Sequence, residues 1–186
     1  GKLTGWVGYT LSWTSMQFDS LNFGRRFYAR YDRRHDISVV AVYKASDRIT
    51  LSGTWVFGTG NAITIPLSEY WAEPHDYEGD GNVYYQDDSD RMFFFRRTVL
   101  ENGEKNNFRM RPYHRLDIGI QLHKQKKWGE RTWEFSVYNA YSRLNPFFYY
   151  NDTQYINGKR YGKLRQVSLF PLIPSFTYSF RFQKAK

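Results

Sequence analysis

Apolar and polar residues alternate with a period of two along most of this chain. In "VGYTLSW", Val7, Tyr9, Leu11 and Trp13 stand against Gly8, Thr10 and Ser12. In "ITLSGTWVF", Ile49, Leu51, Gly53, Trp55 and Phe57 stand against Thr50, Ser52 and Thr54. "RLDIGIQLH" sets Leu116, Ile118, Ile120 and Leu122 opposite Asp117, Gly119, Gln121 and His123, and "WEFSVYNAY" sets Trp133, Phe135 and Val137 against Glu134 and Ser136. The closing segment "LIPSFTYSFRF" (172–182) repeats the plan, with Phe176, Tyr178, Phe180 and Phe182 on one side. Successive side chains of a strand point to opposite faces, so the pattern predicts strands with one apolar and one polar face. "HDISVVAVYKA" (35–45) alternates less cleanly but is rich in β-branched residues, and it is read as a strand as well. About six strands and no helix are predicted.

The links between these strands alternate between long and short. The first spans about residues 17–34, the second is the tight "KASDR" (44–48), and the third spans about 66–112. The fourth is "QKKWGER" (125–131) and the fifth spans about 146–163. In an antiparallel meander every second link lies on the same side, so one rim carries all the long loops. Short turns on one side and long loops on the other characterise outer-membrane barrels. The expected fold is therefore all-β, an antiparallel transmembrane β-barrel wall. Its apolar side meets lipid, and Trp6, Trp13, Trp128, Trp133 and Tyr141 lie near strand ends as interfacial girdles. A soluble β-sandwich or lipocalin-like barrel would pack the same aromatics inward, but it gives no reason for one-sided loops. If "RMFFFRRTV" (91–99) and "NNFRMRPY" (106–113) form a further hairpin of the wall, the strand count rises to eight.

Composition sharpens this picture. Aromatics make up 20% of the 186 residues, yet 24% are charged and the mean hydropathy is -0.70, so apolar residues are interspersed with polar ones. No stretch approaches the ~18 to 20 consecutive apolar residues of a membrane-spanning helix. There is no cysteine, which removes disulfides and thiolate metal sites. No secretory signal is visible in "GKLTGWVGYTLSW", so either the protein is not exported or this is not its native start. The formal net charge is +9, and nine of the 27 lysines and arginines cluster in "FGRRFYARYDRRH" (23–35) and "HKQKKWGER" (123–131), between strand-like runs. They read as loop and turn charges facing water or lipid headgroups, and no nucleic-acid partner is expected.

Catalytic chemistry leaves little trace. His35, His75, His114 and His123 lack the spacing of a zinc site, and there is no nucleophile elbow, P-loop or dinucleotide fingerprint. "GDGNVYYQDDSD" (79–90) is acidic but misses the closing glutamate of an EF-hand loop. No enzyme activity and no cofactor are expected.

The segments "WEFSVYNAYSRLNPFFYY" and "LRQVSLFPLIPSFTYSFRF" resemble the last two strands of Bacteroidetes-type TonB-dependent outer-membrane receptors, the SusC-like group with a carboxypeptidase-regulatory-like domain. The distinctive pieces are "VYNAYSRLNPFF" (137–148), "VSLFPLIPS" (167–175) and the final aromatic strand; "PYHRLDIGI" (112–120) is similar to the strand before them. The likeness covers about residues 110–182. It implies a 22-stranded barrel, with this chain as its C-terminal portion of about six strands, closed by a separate plug carrying the TonB box. It also implies uptake of an oligosaccharide, a peptide or a metal chelate across the outer membrane of a Gram-negative bacterium. The implied partners are membrane lipid, the TonB complex and a surface lipoprotein lid. Phe182 occupies the place of the terminal aromatic read by the barrel-assembly machinery, although Gln183, Lys184, Ala185 and Lys186 follow it. The expected ligand or partner contacts lie in the loop 66–112, at Trp71, His75, Tyr77, Tyr84, Tyr85 and Phe93, because aromatic planes suit sugar faces and peptide side chains. The alternative function is a small stand-alone barrel that binds an apolar ligand or serves a structural role in the outer membrane.

Overall fold

The computed structural model describes residues 1–72, 85–86, 92–93, 97–157 and 159–182. Six long strands form one antiparallel sheet in sequence order: β1 (Leu3–Leu11), β2 (His35–Ser46), β3 (Ile49–Gly58), β4 (Tyr113–Lys126), β5 (Gly129–Tyr138) and β6 (Ile173–Phe182). The connections β2–β3 and β4–β5 are tight turns, whereas 12–34, 59–112 and 139–172 are long. The long ones all leave from one rim, here the loop rim, and the tight turns form the other. Gly129 is required at the second turn. Its φ is +155°, and a Cβ there would lie 2.0 Å from the Arg181 carbonyl oxygen of β6.

The ladder register sorts the residues by face. Leu3, Val7, Tyr9 and Leu11 of β1 share one face with Ile37, Val39, Ala41 and Tyr43 of β2 and with Ile49, Leu51, Trp55 and Phe57 of β3. The same face continues through Leu116, Ile118, Ile120 and Leu122 of β4, Trp133, Phe135 and Val137 of β5, and Phe176, Tyr178, Phe180 and Phe182 of β6. The opposite face carries Thr50, Ser52 and Thr54, Arg115, Asp117 and Gln121, Thr132, Glu134 and Ser136, and Ser175, Thr177 and Ser179. Trp6 lies on this polar face, opposite Val40, and not with the apolar girdle residues. Two apolar neighbours, Trp6 and Val7, cannot share a face of a strand, and the pairing with β2 assigns the aromatic one to the polar side. Trp13 lies beyond the end of β1.

The apolar face is exposed. Val7 is 72% exposed, Phe176 56% and Ile118 48%. Among the described residues the only buried hydrophobic side chains are Phe27, Ala29, Ala62 and Met110, and the largest fully buried side chains are polar, Asn139 and Asp32. Large aliphatic residues ordinarily fill protein interiors. This sheet turns them outward. It is also open: β1 pairs only with β2, and β6 only with β5, so two strand edges are unpaired within the sheet and no closed barrel forms among the described residues.

The chain divides into two compact units, residues 1–14, 31–61 and 109–186 in the first and 15–30 and 62–108 in the second. The first holds the sheet and the hairpin Pro146–Ile156 with Lys159–Ser168, whose Arg165 pairs with Asp152. The second is drawn from two of the long connections. In it Pro66–Ala72 pairs with Arg97–Asn102, and Ser15–Met16 pairs with Phe27–Tyr28. Asn106, at φ 53°, ties its pieces together by donating its side-chain amide to the Tyr28 carbonyl (2.8 Å) and its N–H to Thr64 Oγ1 (3.0 Å). The hairpin of 91–99 with 106–113 that would raise the strand count to eight is not seen among the described residues. Arg97–Asn102 pairs upstream with Pro66–Ala72, and Tyr113 already opens β4.

Candidate functional site

The polar face carries two side-chain clusters, one near each rim. Toward the loop rim, Arg115 donates from Nε to Asp117 Oδ2 (3.0 Å) and from Nη1 to the hydroxyls of Tyr113 (2.9 Å) and Tyr138 (2.7 Å). Its Nη2 lies 2.9 Å from Asp117 Oδ2, and its guanidinium sits 4.1 Å from the Tyr138 ring centre. A planar fork with several donors suits such simultaneous pairing. The local cause is sequence spacing: Tyr113, Arg115 and Asp117 are alternate residues of β4, and Tyr138 reaches them from β5. Toward the turn rim, His123 bridges Thr50 Oγ1 (3.2 Å) of β3 and Thr132 Oγ1 (3.0 Å) of β5, with Glu130 Oε1 3.4 Å away. Gln121 donates to Glu134 (3.0 Å) beside it. These groups engage one another, as an ordered polar wall does. Among the described residues no group of three or more His, Cys, Asp or Glu is placed to hold a metal ion.

The loop rim is fastened by buried polar residues. Asn139, at φ 54°, donates its side-chain amide to the carbonyls of Arg143 (2.9 Å) and Phe170 (3.1 Å), and its Oδ1 accepts from the Arg143 N–H (3.1 Å). Its own N–H donates to Asp117 Oδ1 (2.9 Å), which joins this knot to the Arg115 cluster. Asn145 pairs with the backbone of His114 in both directions, accepting from its N–H (3.0 Å) and donating to its carbonyl (2.9 Å). Both asparagines belong to "VYNAYSRLNPFF", so that motif is a latch between the last long connection and β4.

A second knot centres on Asp32, which is fully buried. Its carboxylate accepts from the Arg109 guanidinium and the Thr14 N–H, and Arg34 Nε lies 3.8 Å from it. Burial alone would raise its pKa. The hydrogen bonds from Arg109 and Thr14 and the charges of Arg109 and Arg34 outweigh that effect and hold it below the ordinary 3.8. With the folded pKa below the unfolded one, the stabilisation is complete above the unfolded value and is lost as pH falls through the folded one, that is, below about pH 4. Asp32→Asn is expected to cost about 2–4 kcal/mol at neutral pH, since it leaves Arg109 facing a neutral amide. It is also expected to flatten the acid limb of the profile. Urea unfolding of wild type and variant at neutral and acid pH measures both.

On the apolar face aromatic residues gather at both ends. Toward the loop rim, the Tyr9 hydroxyl meets His35 Nδ1 (2.9 Å), the Tyr141 hydroxyl meets His114 Nδ1 (2.7 Å), and Phe57 stacks on Trp55 and on His114. Toward the turn rim, Trp133 packs on Phe176 (5.0 Å) and Tyr178 (4.6 Å), and Phe180 meets Phe182 edge to face (4.8 Å). His114 and Leu122 bracket the apolar run of β4. Eight residues of strand span about 27 Å along its axis.

Of the residues expected to contact ligand or partner, Trp71 lies in Pro66–Ala72, with Thr98 as its register partner. Tyr85 and Phe93 stand opposite each other in a short pairing of Tyr85–Gln86 with Met92–Phe93. His75, Tyr77 and Tyr84 lie outside the described residues. Phe182 is the last residue of β6, opposite Gly129 and 81% exposed. Asp32, Asn139, Asn145 and Arg115 were not singled out by sequence. The one available signal was the presence of Arg115 and Asp117 at successive polar-face positions of a strand. No family model, no curated protein and no solved structure matches the chain.

Proposed function

We propose that this chain is the C-terminal part of the barrel wall of a TonB-dependent receptor in the outer membrane of a Gram-negative bacterium, which imports an oligosaccharide, a peptide or a metal chelate. The observation that carries this reading is a six-stranded sheet with one exposed, continuously apolar face between two aromatic belts and one hydrogen-bonded polar face. Water does not favour an apolar patch of this extent, and soluble monomers rarely display one. Acyl chains do favour it, and strands of nine or more residues are long enough to cross a bilayer when tilted. The polar face then borders the lumen, with the Arg115 and His123 clusters as part of its lining.

The open edges fit the same reading. Unpaired strand edges are untenable in hydrocarbon, so β1 and β6 need further strands beside them. A 22-stranded receptor barrel would supply about sixteen of these, together with a plug in the lumen. In this reading the long connections lie outside the cell. Trp71, His75, Tyr77, Tyr84, Tyr85 and Phe93 would contact nutrient or a lipoprotein lid there, and the plug would couple to the TonB complex. Phe182 would serve the assembly machinery. The experiment is fractionation of the intact protein. It should sediment with outer membranes, require detergent for extraction, and migrate faster on gels unheated than boiled. A protein freely soluble without detergent contradicts the proposal.

A further inference from the structure

The apolar face does not stay apolar to its end. Across β4, β5 and β6 the register gives successive rows on that face: Leu122, Trp133 and Tyr178; then Lys124, Arg131 and Phe180; then Lys126, Gly129 and Phe182. Lys124 and Arg131 are thus directly opposed on neighbouring strands. Opposed residues have Cβ atoms about 5 Å apart, and like charges in that position repel. Among the described residues no carboxylate forms an ion pair with them. The nearest acidic residue in sequence, Glu130, lies on the other face beside His123. Arg131 rests over the Trp133 ring at 5.8 Å, and its Nε is buried with no hydrogen-bond partner among the described residues. Lys124 and Lys126 are exposed. Trp128, in the adjoining turn, is 71% exposed.

Two opposed cations beside an apolar belt destabilise the pairing, and an anion between them relieves the repulsion. The anion must also reach the end of a hydrophobic surface, where long basic side chains extend toward headgroups and tryptophan favours the interface. We propose that Lys124, Lys126 and Arg131 form a binding site for the phosphate of a membrane phospholipid. The acyl chains of that lipid lie along Leu122, Trp133, Phe176 and Tyr178. Guanidinium and ammonium groups suit phosphate oxygens as charge-assisted donors. Three cations without a counter-charge favour an anionic headgroup over a zwitterionic one. This inference rests on the reading that the apolar face contacts lipid, and it adds a headgroup preference at the turn rim.

The test uses the intact protein in phosphatidylcholine vesicles containing brominated phosphatidylcholine or, in the other arm, brominated phosphatidylglycerol at equal mole fraction. Bromine quenches nearby tryptophan fluorescence. Both lipids should quench, and the phosphatidylglycerol arm should quench more. Lys124→Gln with Arg131→Gln should reduce the preference by about fivefold for each cation removed. Lys159→Gln, in the hairpin of the last long connection, should leave it unchanged. In a zwitterionic detergent the double variant should be at least as stable as wild type, because the opposed charges are gone. In phosphatidylglycerol vesicles it should be less stable. Equal quenching by both lipids in wild type would overturn the headgroup site and leave the lipid-facing sheet standing, whereas quenching by neither would overturn both. Loss of the preference on adding inorganic phosphate at matched ionic strength would assign the cluster to a free anion and overturn the lipid assignment.

Discussion

Ile118→Arg is expected to destabilise the folded protein in a bilayer by about 2–4 kcal/mol, the cost of a cation near the midplane on the lipid side of the proposed barrel wall. Ile118 sits halfway along β4 on the apolar face, between Gly53 of β3 and Val137 of β5. Its side chain is half exposed, so in a soluble protein the same substitution would fall within about 0.5 kcal/mol of wild type. The difference between those outcomes is what makes the position informative. Gln121→Arg, on the polar face of the same strand, is the control. It keeps Glu134 as a partner and should change stability by no more than about 0.5 kcal/mol. Denaturant unfolding of both variants in vesicles measures the contrast.

Asn139→Ala is expected to cost about 2–4 kcal/mol by a different route. The substitution leaves the Arg143 N–H and the carbonyls of Arg143 and Phe170 without their side-chain partner in a buried setting. It also places alanine at φ 54°, where asparagine is better tolerated. Asn139→Gly relieves the backbone part alone and should therefore be milder by roughly 1 kcal/mol. Denaturant unfolding ranks the two, and limited proteolysis of the connection 139–172 should speed up in the same order. A null result for both would mean that this latch does not hold the rim.

Much of the sheet was legible because the physics behind it is local. A strand with unlike surroundings on its two sides must alternate, and Leu116 to Leu122 or Phe176 to Phe182 do so without interruption. The alternation of long and short links was legible for the same reason. What depends on pairing was not. Trp6 and Val7 are both apolar, and only the register with β2 decides which faces the polar side. The start of β5 was missed because Arg131 lies on the apolar face and breaks the pattern there. A hairpin of 91–99 with 106–113 was left open by the sequence, whereas the partner of Arg97–Asn102 is Pro66–Ala72, across the length of the loop.

The polar knots were illegible for a related reason. Asp32 and Arg109 are brought together only by the folded rim, and a lone aspartate in "RYDRRH" looks like any solvated loop charge. Asn139 was visible as part of a motif, but its role depends on Phe170, which follows the entire hairpin 146–168. Repulsion between Lys124 and Arg131 likewise exists only once β4 and β5 are in register. Period and turn length are written along the chain, whereas opposition across strands is not.

In the proposed barrel wall the apolar face meets hydrocarbon while the polar face meets water. The chain contains no cysteine, so single nitroxide labels can be placed at Val39, Ile118 and Phe135 on one face and at Thr54, Gln121 and Ser136 on the other, in a background free of other thiols. Collision with oxygen, which concentrates in the bilayer, is then compared with collision with a water-soluble nickel chelate. With this orientation, oxygen-dominated relaxation is expected at the first three sites and chelate-dominated relaxation at the last three. Chelate access to Val39, Ile118 and Phe135, or shielding of those sites from both reagents by protein, would contradict it.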